Sequence, residues 1–533
     1  MHVMDQTRQL PPGPSPRRSS RRRLLLAGVV TMAVAGVAAT ASVGYGADRE
    51  SSPAASASED SLAAYRNQPV TWGACTDDDP DGDLAQIAGL QCARITAPLD
   101  YRDPAGPAIS VALSRIAASR SDRRRGVLLS NPGGPGGPGL DMPGLLRDVL
   151  PAKVHEQYDL IGMDPRGTGR SSPLQCHLSG NQSYFTDTLA YPYDPATFKD
   201  IAARSRDAAD TCARNIGPRM AHFTTANTAR DMDLIRAVLG EKKLSYVGVS
   251  YGTYLGGVYA TLFPERTDRI VLDSSLPPDW DGSYRLLSKA APAAMRRWAT
   301  WTAAHDDRYH LGSTAAEVTR TFFGMIRSLE QRPLEGLDPG QARWQLRGAM
   351  YDLKEGAEYV VNLRENMRTS EPATGGGSDF PSDPPTEADD AFGSLHMAVT
   401  CGEVGRWSPN VEQYRREAES ARKKEPLIGD LVTNVNACAF WAHRSAEPAV
   451  TVHSPAGALI VQNEWDPNTP LAGAQRMHHA LPASRLLTVV NGQGHAILHR
   501  KPGACVVDQI GAYLSSGRLP AKDATCKLPV PTP

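Results

Sequence analysis

The chain has 533 residues and a formal net charge of -1, so its overall charge gives no support to nucleic acid or an anionic membrane as partner. With 41% hydrophobic and 22% charged residues it has the composition of a soluble globular protein, long enough for a large core and more than one domain.

The first segment does not read as part of a fold. Arg17, Arg18 and Arg21 to Arg23 form a positive cluster ahead of an uncharged run, Leu24 to Ala41, that ends in the small residues Ala39-Thr40-Ala41. This predicts a signal peptide over 1–41, cleaved on export. Ser20-Arg-Arg-Arg-Leu-Leu25 also resembles a twin-arginine signal. An uncleaved anchor is the competing reading, because the run approaches spanning length. Its many Ala and Gly residues favour cleavage, and hence a secreted, extracellular protein, free or held at the cell wall, with no stable membrane insertion. Residues 42–69, Ser- and Ala-rich, read as a disordered leader.

Export gives the eight cysteines meaning, since an even number in an oxidising compartment predicts disulfides. Loop closure is cheapest at short separation. Pairing sequential neighbours predicts Cys75 with Cys92, Cys176 with Cys212, Cys401 with Cys438, and Cys505 with Cys526. No C-x-x-C is present, so zinc or thioredoxin-like chemistry has no support, and no metal or organic cofactor is expected.

From residue 70 onward, β-rich runs appear at Cys92 to Tyr101 and Ala108 to Leu113, separated by an Asp-Pro-Ala-Gly turn. Gly126 to Ser130 reads as a strand that empties into Asn131-Pro-Gly-Gly-Pro-Gly-Gly-Pro-Gly139, which can be neither helix nor strand. Either it is a stiff surface loop, or its N–H groups face a developing negative charge. Tyr158 to Met163 is the next strand. The following Asp164-Pro-Arg-Gly-Thr-Gly-Arg-Ser171 lacks the lysine and spacing of a P-loop and reads as a turn braced by Asp164 and Arg166. A helix is expected within Thr224 to Leu239, beginning at Thr228 or Asp231.

The rest of the chain is organised around Leu244 to Gly257. An apolar run leads into Gly248-Val-Ser-Tyr-Gly252, and Tyr254, Leu255, Val258, Tyr259 and Leu262 follow at helical spacing. Strand, tight turn and helix are the context in which G-x-S-x-G holds a serine in a strained, exposed position. Arg269 to Asp273 is a further strand, and the alternation of strand and helix predicts a mostly parallel sheet with helices on both faces.

Helical patterns then dominate 277–444, for example Arg285 to His305 and Ala315 to Glu330, interrupted by the acidic stretch Thr369 to Asp390. Such an insertion predicts a cap over the site. The core, begun over 70–276, resumes over 445–533. Ala456 to Gln462 is a strand ending near Asp466, and Leu486 to Val490 is the last expected strand, ending at His495. Lys501 to Ser515 is expected to be the closing helix.

Serine needs a base, histidine can take and return its proton, and a carboxylate fixes the imidazole. Ser250, Asp466 and His495 follow the chain order of α/β-hydrolases, each just after an expected strand. Asp273, also at a strand end, is the rival acid.

The motifs Asn131 to Gly136, Asp164 to Ser171, Gly248 to Leu255, Asp466 to Pro470 and Gly492 to His495, taken in order, resemble the exported tripeptidyl aminopeptidase branch of the proline iminopeptidase-like serine peptidases. The resemblance runs from about Thr71 to Cys526. It implies an α/β-hydrolase core, a helical cap and release of short peptides from the free N-termini of peptides or proteins. It also implies the triad Ser250, Asp466 and His495, with an oxyanion hole at the backbone of Tyr251 and Gly134. Pro132 stands where proline iminopeptidases proper have a histidine, which favours the tripeptidyl branch. A buried ammonium requires a carboxylate. Glu403, beside Cys401, is the candidate amine anchor, with an ordinary surface glutamate as the alternative. An esterase or lipase, and a binding module on a dead hydrolase fold, remain the competing functions.

Overall fold

A computed structural model describes residues 59–76, 82–183, 195–279, 283–371, 385–403, 407–500 and 502–530. The expected signal peptide and most of the acidic stretch lie outside these residues. Structure begins ahead of residue 70, earlier than composition alone implies. Glu59–Leu62 and Ala63–Arg66 form short helical turns, and Tyr65, Val70 and Trp72 pack against the main core.

Among the described residues, a sheet of nine strands runs through the core in the order β1-β2-β4-β3-β5-β6-β7-β8-β9. The strands are β1 (Gln91–Pro98), β2 (Ala108–Ile116), β3 (Gly126–Asn131), β4 (Tyr158–Met163), β5 (Leu244–Val249), β6 (Thr267–Asp273), β7 (Ala458–Trp465), β8 (Arg485–Gln493) and β9 (Ala524–Lys527). β1 pairs antiparallel with β2, and β2 with β4; every later pairing is parallel. This is the mostly parallel sheet of an α/β-hydrolase.

The sequence explains why the central strands are apolar throughout. Alternate side chains go to opposite faces. Val127, Leu129, Ile161, Tyr246, Ile270, Leu272 and Ile460 enter one apolar cluster, while Leu128, Leu160, Val247, Val271, Leu459 and Val461 enter another. Helices cover both faces, so β3, β4 and β5 are buried throughout, and only Asp268 on β6 and the last two residues of β7 are part-exposed.

Several elements were not anticipated, among them a ninth strand and a long helix. β9 lies parallel to β8 with Val489 opposite Cys526, so β8 is not the edge; it is too short and too polar to stand out in sequence. A long helix spans Pro195–Ile216. The helix ahead of β5 is Thr225–Val238, starting before Thr228 because Thr224 caps it by accepting from the Asn227 N–H.

All eight cysteines pair as sequential neighbours: Cys75–Cys92, Cys176–Cys212, Cys401–Cys438 and Cys505–Cys526. The second pins the unanticipated helix and the fourth ties β9 to the closing helix Ala504–Ser516.

Between β6 and β7 the described residues form helices and no strand. Ser283–Ala303, Ala315–Gln331, Pro339–Ala349 and Leu353–Thr369 build a separate apolar cluster around Trp298, Phe322, Leu346 and Val360. The later helix Glu387–Glu403 behaves differently. Its Leu395, Met397, Ala398 and Val399 join the core cluster of the sheet.

The turn after β4 is structural, as its composition implies. Arg166 is fully buried and grips Asp231 through Nε (2.7 Å) and Nη2 (2.6 Å), and it also donates to the Leu99 and His222 carbonyls. Asp164 accepts from the Gly139 and Arg170 N–H groups, and burial raises its pKa to about 6.

Candidate active site

β5 ends in the elbow. Ser250 has φ 57° and ψ −123°, a left-handed region costly for a residue with a Cβ. Its N–H is held by the Asp273 carbonyl at 2.9 Å, and the helix Tyr251–Leu262 starts at the next residue. The turn is tight enough that a Cβ on Gly248 would lie 2.2 Å from the Gly252 carbonyl oxygen. Glycine is therefore required by contact as well as by composition.

β7 and β8 supply the other two groups. Asp466, 3% exposed, receives His495 Nδ1 at Oδ2 over 2.9 Å. Its Oδ1 accepts from the Asn468 and Thr469 N–H groups (2.7 and 2.9 Å). The Thr469 hydroxyl donates to Oδ2 at 2.8 Å and stands 3.2 Å from His495 Nδ1. This Asx turn fixes the carboxylate by backbone geometry. Asp-Pro-Asn-Thr-Pro is a sequence signal for such a turn, although the reading of the sequence gave Thr469 no role.

Asp273 has a different task. Fully buried, with its pKa pushed up to about 6 chiefly by that burial, it accepts from the Ile497 and Leu498 N–H groups (3.1 and 2.8 Å) and from the Ser274 hydroxyl (2.9 Å). Its backbone carbonyl holds Ser250 and its carboxylate holds the turn that carries His495. One residue thus braces both the serine and the histidine segments. Among the described residues no hydrogen bond joins Ser250 Oγ to His495; bonds of this kind commonly tighten only in the complex with substrate.

The Gly-rich loop after β3 meets the elbow at Gly133, where a Cβ would fall 3.1 Å from the Tyr251 nitrogen. The Gly133 N–H donates to Asn131 Oδ1. The Gly134 N–H has no hydrogen-bond partner among the described residues, and Gly134 is exposed. Farther along, Gly136 abuts Phe392 of the helix Glu387–Glu403, which therefore walls the loop.

The same helix delivers Glu403. It is 6% exposed, and its carboxylate accepts from Thr225 N–H and from the Thr225 hydroxyl (2.8 Å). That hydroxyl shares a 2.6 Å hydrogen bond with the Tyr251 phenol. Burial raises the Glu403 pKa to about 7; the Thr225 bonds oppose the shift and Glu447 adds to it. No lysine or arginine pairs with Glu403 among the described residues. It is not a surface glutamate.

What the cap brings to the histidine has no signal in the residue pattern. The Tyr351 ring lies 5.9 Å from the His495 ring, and Gly494 packs on the Tyr351 carbonyl. Gln493 is tied to the Met350 carbonyl and to Arg297, and Arg347 donates to Asn468 Oδ1 at 2.7 Å.

A part-buried serine on a strained elbow, an imidazole fixed by a carboxylate, and a Gly-rich loop packed against the elbow are parts from which acyl transfer is built. The family description "TAP-like protein" matches residues 425–526, the segment holding Asp466, His495 and β9. Over 459 residues the chain is 34% identical to the tripeptidyl aminopeptidase of Streptomyces lividans, spanning 82% of this chain and 83% of that protein.

The chain belongs to the tripeptidyl aminopeptidase family.

As a family member it is an enzyme, a serine hydrolase on the α/β-hydrolase fold. It is also 28% identical over 496 residues to serine protease Hip1 of Mycobacterium tuberculosis, spanning 86% of this chain and 91% of that protein. The chain is 26% identical over 490 residues to Carboxylesterase B of the same organism, spanning 86% of this chain and 89% of that protein. Among the described residues no helix is long and apolar enough to cross a membrane, and no group of three or more His, Cys, Asp or Glu is placed to hold a metal ion.

Proposed function

We propose that this protein is a secreted serine aminopeptidase that removes short peptides, tripeptides first among them, from free N-termini. Ser250 Oγ attacks the scissile carbonyl as His495 takes its proton. Asp466, bonded to Nδ1, keeps the tautomer and stabilises the imidazolium. The N–H groups of Tyr251 and Gly134 receive the oxyanion. His495 returns the proton to the leaving amine, and water then releases the acyl-enzyme by the same route.

The observation that carries an aminopeptidase rather than a general hydrolase is Glu403. A buried carboxylate without a cation is costly, and a substrate ammonium is the partner that would relieve it. Thr225 and Tyr251 link it to the elbow. Four disulfides support an oxidising, extracellular destination.

An unblocked decapeptide is digested with wild type and with Ser250→Ala, and the fragments are read by mass spectrometry. Wild type should release N-terminal tripeptides, and the variant should be slower by roughly 10⁶-fold. An N-acetylated peptide should resist cleavage. The likeness to Carboxylesterase B favours a second reading, an esterase. It would be preferred if p-nitrophenyl esters turn over while free-amine tripeptide amides do not.

A further inference from the structure

Glu403 has a counterpart of opposite sign. Arg347, on the helix Pro339–Ala349, is 5% exposed, yet it forms no ion pair among the described residues. Its Nε is buried with no hydrogen-bond partner, and Nη1 spends its bond on the neutral amide of Asn468. The guanidinium lies 3.8 Å from the Trp344 ring centroid and 6.0 Å from that of Tyr351. Its neighbour Arg343 shows the ordinary solution for a buried arginine in the cap, a two-pronged pair with Asp430. Arg347 has no such acid.

Its place in the fold gives the missing acid a chemistry. Asn468, its one partner, belongs to the turn that holds Asp466. Tyr351, one helical turn on, lies beside His495. Arg500 also stands over Tyr351, 5.1 Å from the ring centroid, with Glu355 only at 4.0 Å. Two arginines, Arg347 and Arg500, thus stand at the histidine end of the site on the cap side of Tyr351, while the elbow end carries Glu403. A serine hydrolase passes the leaving group out on the side of the base that protonates it. A short peptide with both ends free carries an ammonium at one end and a carboxylate at the other.

We infer that Arg347 receives the C-terminal carboxylate of the leaving segment, so that the site is built for short peptides with free C-termini. This rests on the aminopeptidase reading and names the other end of its substrate. A planar guanidinium already stacked on Trp344 is preorganised for a carboxylate. Arg347 acts on binding, and the bonds made and broken at the scissile amide are unchanged.

The test compares an alanine tetrapeptide with its C-terminal amide. Wild type should favour the free acid in kcat/KM by about ten- to a hundredfold, carried mainly by KM. Arg347→Met should bring that ratio close to one, and Arg347→Lys should restore part of it. If Arg347 only holds Asn468 in place, Arg347→Met slows acid and amide alike and the ratio stays at its wild-type value, which overturns the inference. A wild-type ratio near one also overturns it while leaving the aminopeptidase reading intact. If neither peptide is cut and esters are, both readings fall together.

Discussion

The turns after β6 and β7 each carry a buried aspartate at the same edge of the sheet, and in sequence the two were rivals for one role. Their surroundings separate them. The Asp466 carboxylate faces an imidazole and takes its backbone donors from its own turn. The Asp273 carboxylate takes backbone donors from the segment after His495. In the mechanism we propose, Asp466 stabilises a charge that comes and goes during the reaction, while Asp273 fixes the position of the loop in which that charge appears. Burial alone does not mark a catalytic acid. The identity of the donor does.

The sharpest way to break this division is Asp466→Asn. The amide fits the same Asx turn but presents a donor toward His495 and selects the wrong tautomer. We expect kcat to fall by about 10⁴-fold with little change in folding. A loss of less than tenfold would shift the catalytic role toward Asp273.

Glu403 adds a third buried acid, and its prediction concerns substrate charge. Glu403→Gln should reduce kcat/KM for free-amine peptides by about ten- to a hundredfold and leave N-acylated substrates nearly unaffected. With its pKa raised to about 7, wild type should bind free amines less well as pH falls below that value, because the carboxyl then carries its proton. The variant should lack this pH dependence. An equal loss on acylated and free peptides would remove Glu403 from the amine site.

What could be read from the sequence, and what could not, follows the same physical line. The central strands are largely apolar runs that end in turns of Gly, Pro or Asp, so the strand ends, and Ser250, Asp466 and His495 as the candidates standing there, are legible in the sequence. The separate task of Asp273 was not legible, because both residues are acids at strand ends and only tertiary donors show what each one holds. Arg347 was invisible for a related reason. In a helical insertion rich in Arg and Glu, a charge that turns inward looks like its solvated neighbours until packing buries it. β9 escaped notice because its short strand is organised by Cys505–Cys526 and by β8 more than by its own propensity.

The smallest expected effect tests the bracing role of Asp273. Asp273→Asn sets an amide against two backbone N–H donors, so at least one carboxylate hydrogen bond is lost. We expect a loss of about 1–3 kcal/mol in denaturant unfolding and a drop in kcat well short of that for Asp466→Asn. The pH dependence carries the sign. The folded-state pKa of Asp273 is about 6 against an ordinary 3.8, so folding favours the protonated form. Its contribution is complete below 3.8 and declines as pH rises through about 6. The asparagine variant does not titrate there, so its deficit against wild type should be widest near pH 4 and narrow toward pH 7. A deficit that instead widens with pH would mean that the charged carboxylate is the form the fold prefers. The turn carrying His495 would then rest on an ionic contact rather than on a buried hydrogen-bonded acid.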